Sequence, residues 1–504
     1  MIPAPQPAGA WYRVLDKALN AAFGLGRHRI IEPPRSIWPN GILLAALLTG
    51  CAAPPPPGPV RRALPQAWSV GAQTTPGAGL DTAWWQSFGD LALSSLVSQA
   101  LAANTDVRVA ESRLRAARAA VAVAGAGLLP MVTGSVSASR SSTDSREANT
   151  RAGAGFDAAW ELDLFGGRRA GAAAARADEA QAWALQAAVR LSVAAEAARL
   201  YVLVRAFQRR LALARDNLRG QDETLQLAQW QAQAGLLNDL DVEQARLARE
   251  QGRTLLPTLQ AGLERTRHAL AVLLDRDPLS LDGMLEDGSP RLPAMPDTIA
   301  LGVPADLLRR RPDVAAAEHA LAAATARVAA ADAARRPSFA LSGSIGLDAT
   351  RLPALADPGA LVTSVMGRLA APVFDAGRLR QQVEIQSAAQ DQALANYDAT
   401  LMSALRDVED ALSEIVQGRE RNQALHSALY AARQSAQLAR HRQSAGLSDF
   451  SSVLEAERAL RATEDAYVSS QADQVSAAVQ LYKAMGGGWT IRPAAVSEPG
   501  RAGR

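Results

Sequence analysis

From Val132 to Ser142 the chain alternates. Val132, Gly134, Val136 and Ala138 fall on one side, and Thr133, Ser135, Ser137 and Ser139 on the other. A polar stretch, Thr143 to Arg151, reads as a loop. The alternation then resumes, with Phe156, Ala158, Trp160, Leu162 and Leu164 against Asp157, Glu161 and Asp163. Further on, Phe339, Leu341, Gly343, Ile345 and Leu347 oppose Ser338, Ser342, Ser344 and Asp348. A fourth run, Leu361 to Phe374, is less regular and sets Val365 and Leu369 opposite Ser364 and Arg368. Period-two alternation marks a strand with one apolar and one polar side. Each run reaches about the 9 to 11 residues a tilted strand needs to cross a bilayer, and apolar-out, polar-in is the pattern of a membrane barrel. Four strands cannot close such a barrel, and an open edge in lipid leaves backbone groups unpaired. A barrel built from them must be shared between copies of the chain.

A second pattern surrounds the first. Ala110 to Gly127 reads as a helix ended by Pro130, and Gly167 to Gln233 contains no proline. As one helix the latter would be about 100 Å long at 1.5 Å per residue. Its apolar positions step by fours and threes through Val193, Ala197, Leu200, Val204, Phe207, Leu211, Ala214 and Leu218, then Gln221 and Leu225, which is a coiled-coil seam. The run from Arg378 to about Ser444 matches it. Each long helix stops at Ala-Gly-Leu, and a second helix follows, Asp239 to Leu274 and Asp449 to Met485. Glycine at the break fits a helix C-terminus, and Asn238 or Ser448 supplies the next N-cap. The prediction is two helical hairpins whose tips lie far from the strands.

The two patterns recur together. Asp106-Val107, Glu111 and Pro130 return as Asp313-Val314, Glu318 and Pro337, each 207 residues further on. Phe165-Gly166-Gly167-Arg168 returns as Phe374-Asp375-Ala376-Gly377-Arg378 with one residue inserted. Ala234-Gly235-Leu236 and Gln244-Ala245 return as Ala445-Gly446-Leu447 and Glu455-Ala456, both at 211 residues. The chain is a tandem repeat.

Composition narrows the function. With 53 Lys and Arg against 50 Asp and Glu, the net charge is +3, too balanced for nucleic-acid binding driven by a basic face. Hydrophobic residues make up 48% while aromatics are 5%, and the alanine excess favours long helices over a thick core. The five histidines stand singly, without metal-ligand spacing, and Gly486-Gly487-Gly488 lacks the Lys-Ser/Thr of a phosphate loop, reading instead as a helix stop. Arg309-Arg310-Arg311, followed at once by Pro312 and Asp313, reads as a helix boundary with carboxylate partners. No catalytic constellation emerges, so the chain is not expected to be an enzyme. No later segment is apolar enough for a membrane helix.

The single cysteine, Cys51, ends Leu48-Thr49-Gly50-Cys51, behind an apolar run from Ile42 and the basic Arg27, Arg29 and Arg35. This order is that of a secretory signal, and its end resembles the bacterial lipobox, in which the cysteine is lipidated and becomes the mature N-terminus. Ala52 at the next position implies sorting to the outer membrane. Pro54 to Pro57 would form a stiff tether behind the anchor.

Three segments carry a wider resemblance: Gly302-Val303-Pro304-Ala305-Asp306-Leu307-Leu308-Arg309-Arg310-Arg311-Pro312-Asp313-Val314, Trp160-Glu161-Leu162-Asp163-Leu164-Phe165-Gly166, and Leu481-Tyr482-Lys483-Ala484-Met485-Gly486-Gly487-Gly488-Trp489. They resemble the outer-membrane factor family (TolC/OprM/NodT type), in its lipoprotein branch that works with resistance-nodulation-division (RND) pumps. The resemblance implies an α+β membrane protein forming a homotrimer, with a twelve-stranded β-barrel and a periplasmic α-helical barrel. It divides the chain into a signal peptide (1–50), a lipidated tether (51–88), two repeats (89–300 and 301–490) and a disordered tail (491–504). The implied partners are a periplasmic adaptor and an inner-membrane RND pump, and the implied role is a passive outer-membrane exit duct for small molecules. No cofactor is implied beyond the lipid on Cys51.

The resemblance also assigns sites. Gly235-Leu236 and Gly446-Leu447 match the turns that meet the adaptor. Glu455 matches an acidic residue ringing the closed periplasmic aperture. A bulky apolar residue one turn earlier falls at Ser451, with Phe450 beside it as a substitute, and Asp241 takes the corresponding place in repeat one. Asp157, Glu161 and Asp163 would line the barrel lumen. Two alternatives stay open: a coiled-coil lipoprotein or adaptor without a pore, for which the duplicated strand pair would be superfluous, and a channel exporting proteins.

Overall fold

A computed structural model describes residues 67–68, 82–143, 146–278, 291–296, 309–487 and 489. Cys51, the signal and tether segments and the tail lie outside them, as do 302–308 of the first family segment.

A short 3-10 turn, Trp84–Phe88, leads into α1 (Leu91–Ala103), whose first turn is capped by Asp90 accepting from the Leu93 N–H at 2.9 Å. Then come α2 (Thr105–Ala126), β1 (Met131–Thr143), β2 (Arg146–Leu162), α3 (Gly167–Gln233) and α4 (Asp239–Leu273). The second half repeats the order: α5 (Pro312–Ala333), β3 (Ser338–Ala349), β4 (Leu361–Ala370), α6 (Arg378–Ser444) and α7 (Phe450–Ala484). Duplication is visible in the lengths. Helices α2 and α5 are both 22 residues, α3 and α6 both 67, and α4 and α7 both 35. At 67 residues each long helix spans about 100 Å. Among the described residues no helix is long and apolar enough to cross a membrane.

The four strands form one antiparallel sheet in the order β1-β2-β3-β4, so the two repeats meet at the β2–β3 pair. The polar stretch read as a loop between the first two strands is mostly strand. Residues 146–151 belong to β2, and Ser139, Arg140, Ser141 and Thr143 pair with Arg151, Thr150, Asn149 and Arg146. A ladder is held by backbone N–H and C=O groups, so polar side chains did not prevent its extension. Conversely, β2 ends at Leu162 and β4 at Ala370, short of the Leu164 and Phe374 expected from the pattern.

The main core gathers where α1, α3, α4, α6 and α7 converge. Leu93, Leu96, Val97 and Ala100 of α1 recur at helical spacing on one buried face. They join Tyr201, Leu270, Leu481 and Met485, with Trp84 stacked on Tyr482 at 5.2 Å between ring centres. The repeats lock this region by different chemistry at matching places. In repeat one, buried Asn104 donates to the Leu273 carbonyl at the end of α4 (3.0 Å) and accepts from the Asp106 and Val107 N–H groups. In repeat two the position 207 residues on is Arg311, which donates to the Ala484 carbonyl at the end of α7 (3.1 Å) and to the Ala404 carbonyl of α6 (3.3 Å). It also forks onto Asp313 at 3.0 and 2.7 Å and reaches Asp407 at 3.0 Å. Thus Arg311 lies at a helix boundary among carboxylates, and one guanidinium fastens three helices.

Candidate functional site: a two-faced sheet and two helical tips

Cross-strand partners share a face, so the register fixes which residues lie together. Val132, Val136, Phe156, Trp160, Leu341, Ile345, Leu347, Leu361, Val365 and Leu369 form one apolar face, all of them exposed. Val136 is 86% and Val365 80% exposed, which in water would be an aggregation hazard of unusual extent. Trp160 stands at the end of this face nearest the helices and donates to the Leu128 carbonyl at 3.0 Å.

The opposite face is polar. Ser135 donates to the Asp157 carboxylate at 3.4 Å, Ser344 and Ser364 share a hydrogen bond of 2.7 Å, and Arg151 pairs with Asp348 at 3.3 Å. Met131, Val362 and Met366 are the large apolar side chains on it. Asp157 and Glu161 both lie here, and Glu161 accepts a hydrogen bond from the Arg168 guanidinium.

Asp163 does not line this face. It sits past the end of β2, where its carboxylate accepts from the Arg168 and Arg169 backbone N–H groups (3.1 and 2.8 Å) and from Arg169 Nε (3.0 Å). Burial would raise its pKa, but these donors outweigh that and hold it below the usual carboxylate range. Asp375 does the same at the head of α6, accepting from the Leu379 and Gly377 N–H groups at 2.9 Å each, which lowers its pKa too. Each passage from strand to long helix is closed by an aspartate on exposed backbone donors, favoured by the helix dipole.

At the far ends of the long helices the tips are nearly identical. Gly235 N–H donates to the Ala232 carbonyl and Leu236 N–H to Gln231; Gly446 and Leu447 donate likewise to Gln443 and Arg442. With φ of 73° and 68° at the two glycines, these are left-handed helix ends that disfavour any residue with a Cβ. Leu236 and Leu447 protrude from them, 75% and 76% exposed. Asn238 caps α4 as expected, accepting from the Asp241 N–H at 2.9 Å. Ser448 does not cap α7. Asp449 flanks that helix without a side-chain hydrogen bond, and the buried Ser448 hydroxyl is unpartnered.

The gate candidates separate. Ser451 and Glu455, one turn apart, are both exposed on α7. Phe450 does not share their face. It is 4% exposed and packs with Ala228, Val242, Ala245 and Leu454, so it joins the two hairpins and leaves the exposed face without its ring. The repeat alignment for Asp241 also shifts by one. With helix starts at Asp239 and Phe450, Asp241 corresponds to Ser452, and Ser451 corresponds to the exposed Leu240.

One charged residue here had no signal in the sequence. Glu457, two residues beyond Glu455, is 3% exposed and accepts from Arg440 at 3.0 and 2.9 Å and from Arg461 at 3.1 Å. A helical carboxylate at that spacing reads as solvated until the facing helix is known. Further links, Arg210 to Asp465 at 2.6 and 2.9 Å and Gln443 to Gln231 at 3.2 Å, hold one hairpin against the other. Among the described residues no cluster could hold a metal ion.

A sheet with one bare apolar face and one polar face, carried by helical hairpins about 100 Å long, defines a membrane channel subunit with a long extramembrane conduit. The family model for outer membrane efflux proteins matches residues 96–276 and 303–487. The pyoverdine export outer membrane protein OpmQ of Pseudomonas putida is 33% identical over 465 residues, 88% of this chain and 96% of that protein. Outer membrane protein OprJ of Pseudomonas aeruginosa is 30% identical over 466 residues, 89% and 95% of the two chains. Among solved structures, the outer-membrane channel OprN superposes with a TM-score of 0.80 at 35% identity, covering 86% of this chain and 99% of that one. The chain belongs to the outer membrane efflux protein family. It is an outer-membrane efflux component, and the repeat, the four strands and the long paired helices are the fold of that family.

Proposed function

We propose that three copies of this chain close a twelve-stranded barrel in the outer membrane, continued by a helical tunnel, and that this assembly is the passive exit duct of a tripartite efflux system. The observation that carries the reading is the pair of open sheet edges. β1 and β4 each have a strand on one side only, on a sheet whose apolar face calls for lipid. In lipid, such edges must be paired. Two copies would give eight strands, whose interior side chains fill, whereas three leave a bore.

In this reading the tips at Gly235-Leu236 and Gly446-Leu447 receive a periplasmic adaptor, and an inner-membrane RND pump supplies the driving force. Their exposed leucines on rigid turns suit a helical partner. Cys51 carries the lipid that anchors the mature chain. The relative OpmQ, a pyoverdine export outer membrane protein, supports small-molecule cargo. Glu455 rings the periplasmic aperture. Like charges brought together on a three-fold axis repel, so adaptor docking or cation binding tips the gate.

Purified chain in detergent, measured by light scattering and then in planar bilayers, tests the reading. A three-chain mass and single-channel conductance are expected. A lone chain that neither forms sheet-containing oligomers nor conducts would refute it. Radiolabelled palmitate, incorporated by the native chain and absent after Cys51→Ala, tests the anchor separately.

A further inference from the structure

At the end of the molecule nearest the sheet the helices stand in a row: α2 packs on α3, α3 on α5, and α5 on α6. The middle seam, between α3 and α5, is where the two repeats meet. It runs antiparallel, with Arg327 on Asp178 at 2.8 and 2.6 Å, and a Cβ at Gly167 would lie 3.1 Å from that of Ala333. Steps of three and four keep to one side of a helix, so Ala316 and Ala323 lie on the side of Arg327, and Ala174 on that of Asp178. All three are buried, at 3%, 0% and 5% exposure.

Duplication gives each member of this seam a counterpart at one end of the row. The offset of 207 residues carries α5 onto α2, and that of 211 carries α3 onto α6. The counterparts are bare. Val109, matching Ala316, is 42% exposed; Val123, matching Ala330, is 73% exposed; and Ile385, matching Ala174, is 60% exposed. Each is larger and more apolar than the alanine it replaces. One half of the seam therefore lies open on α2 and the other on α6, at opposite ends of the row, where they cannot meet within one chain.

Charge selects which face covers which. Arg108, Arg113, Arg115 and Arg118 of α2 outnumber Asp106 and Glu111, whereas α6 from Gln381 to Leu405 carries Glu384, Asp391 and Asp398 and no Lys or Arg. Pairing α2 with α6 joins opposite charge, while α2 on α2 or α6 on α6 would set like charges together.

We propose that α2 of one copy packs antiparallel against α6 of the next, repeating between chains the α3–α5 seam found within one, with Ala120 facing Ala389 and Val123 meeting Ile385. The register follows from the internal ion pair: position 327 less 207 is 120, and position 178 plus 211 is 389. Val123 and Ile385 lie one turn nearer the sheet. Such an interface is heterologous, each chain offering different faces to its two neighbours, so it runs around a ring and closes with the barrel. The inference rests on the three-copy reading and adds which surfaces meet and in what register.

Oxidative cross-linking of the full-length protein carrying both Val123→Cys and Ile385→Cys, with its mass read by light scattering, tests it. Both side chains are exposed in the single chain, so neither substitution disturbs its fold. A disulfide cannot bridge Cα atoms more than about 7 Å apart. We expect the single-chain band on non-reducing gels to convert into two- and three-chain bands, reversed by reductant, and neither substitution alone to do so. Val123→Cys with Asn396→Cys, on the same face of α6 but about 16 Å along it, should stay single. Three results would overturn the register while leaving the three-copy reading intact: a three-chain mass without cross-linking of the first pair, as when another part of the chain covers α2; equal cross-linking of the second pair; or dimers from Val123→Cys alone, which would put α2 on α2. Any mass other than three chains would bring down the three-copy reading, and this proposal with it.

Discussion

Replacing Arg311 by Met should loosen the junction of α5, α6 and α7 without touching either the sheet or the tips. The guanidinium is only 10% exposed as a side chain and serves two carboxylates and two carbonyls. Removing one partner from a buried ion pair costs about 3–5 kcal/mol, chiefly through the charge left behind. Here the carboxylates left behind, Asp313 and Asp407, are 40% and 36% exposed and can rehydrate, and Asp407 keeps Arg406 at 3.0 Å, so the lower end applies. The carbonyl of Ala484 ends its helix and loses a buried donor, which keeps the loss near 3 kcal/mol. At roughly 2 °C per kcal/mol for a large chain, the melting temperature of the detergent-solubilised protein should fall by about 6 °C. Arg311→Lys keeps a charge but cannot span the two aspartates and two carbonyls, and should recover about half. Differential scanning fluorimetry, with heat-modifiable migration on gels as a second readout, measures both. If Arg311→Met melts within a degree of the native chain, the guanidinium is not fastening these helices and the reasoning fails.

Other outcomes follow from the same geometry. Asp313 is held below the usual carboxylate range because hydrogen bonds and charge from Arg311 outweigh the upward push of burial. A depressed folded pKa contributes stability that is present above the unfolded value near 3.8 and disappears as pH falls through the folded value; acid unfolding monitored by circular dichroism should therefore lose part of its slope below pH 3.8 in Asp313→Asn. Glu455→Gln and Glu455→Arg should alter single-channel conductance or its cation dependence in planar bilayers, and unchanged traces in both would count against a gate role. Leu236→Glu and Leu447→Glu, on exposed turns, should leave the melting temperature within about 1 °C while weakening capture of an adaptor tip in pull-down assays. Phe450→Ala should destabilise by about 3 kcal/mol through the cavity left between the hairpins, and a melt unchanged from the native one would mean the two hairpins are not joined there.

The long helices were legible because little in their sequence competes with helix. Proline is missing from α3 and α6, alanine abounds, and each break carries glycine followed by leucine. The sheet was legible through its period of two, which survives wherever one side must differ from the other. Misreadings arose where backbone geometry rather than side-chain polarity set the outcome. Residues 146–151 looked like a loop but continued the ladder, and Asp163 kept the strand's alternation in sequence while its carboxylate had already turned to cap a helix. Around Phe450, a helix flanked on two sides can bury either of two faces, and only its neighbours choose between them.

The sequence by itself determined the repeat, the lengths of its long helices and the two-sidedness of its strands, because each follows from local spacing. Tertiary structure alone decided which charges are buried. Glu457 vanishes beneath two arginines while Glu455, half a turn away, stays in water, and Asn104 and Arg311 do one job with different atoms. Burial depends on what a distant part of the chain brings opposite, and that distance is invisible to periodicity.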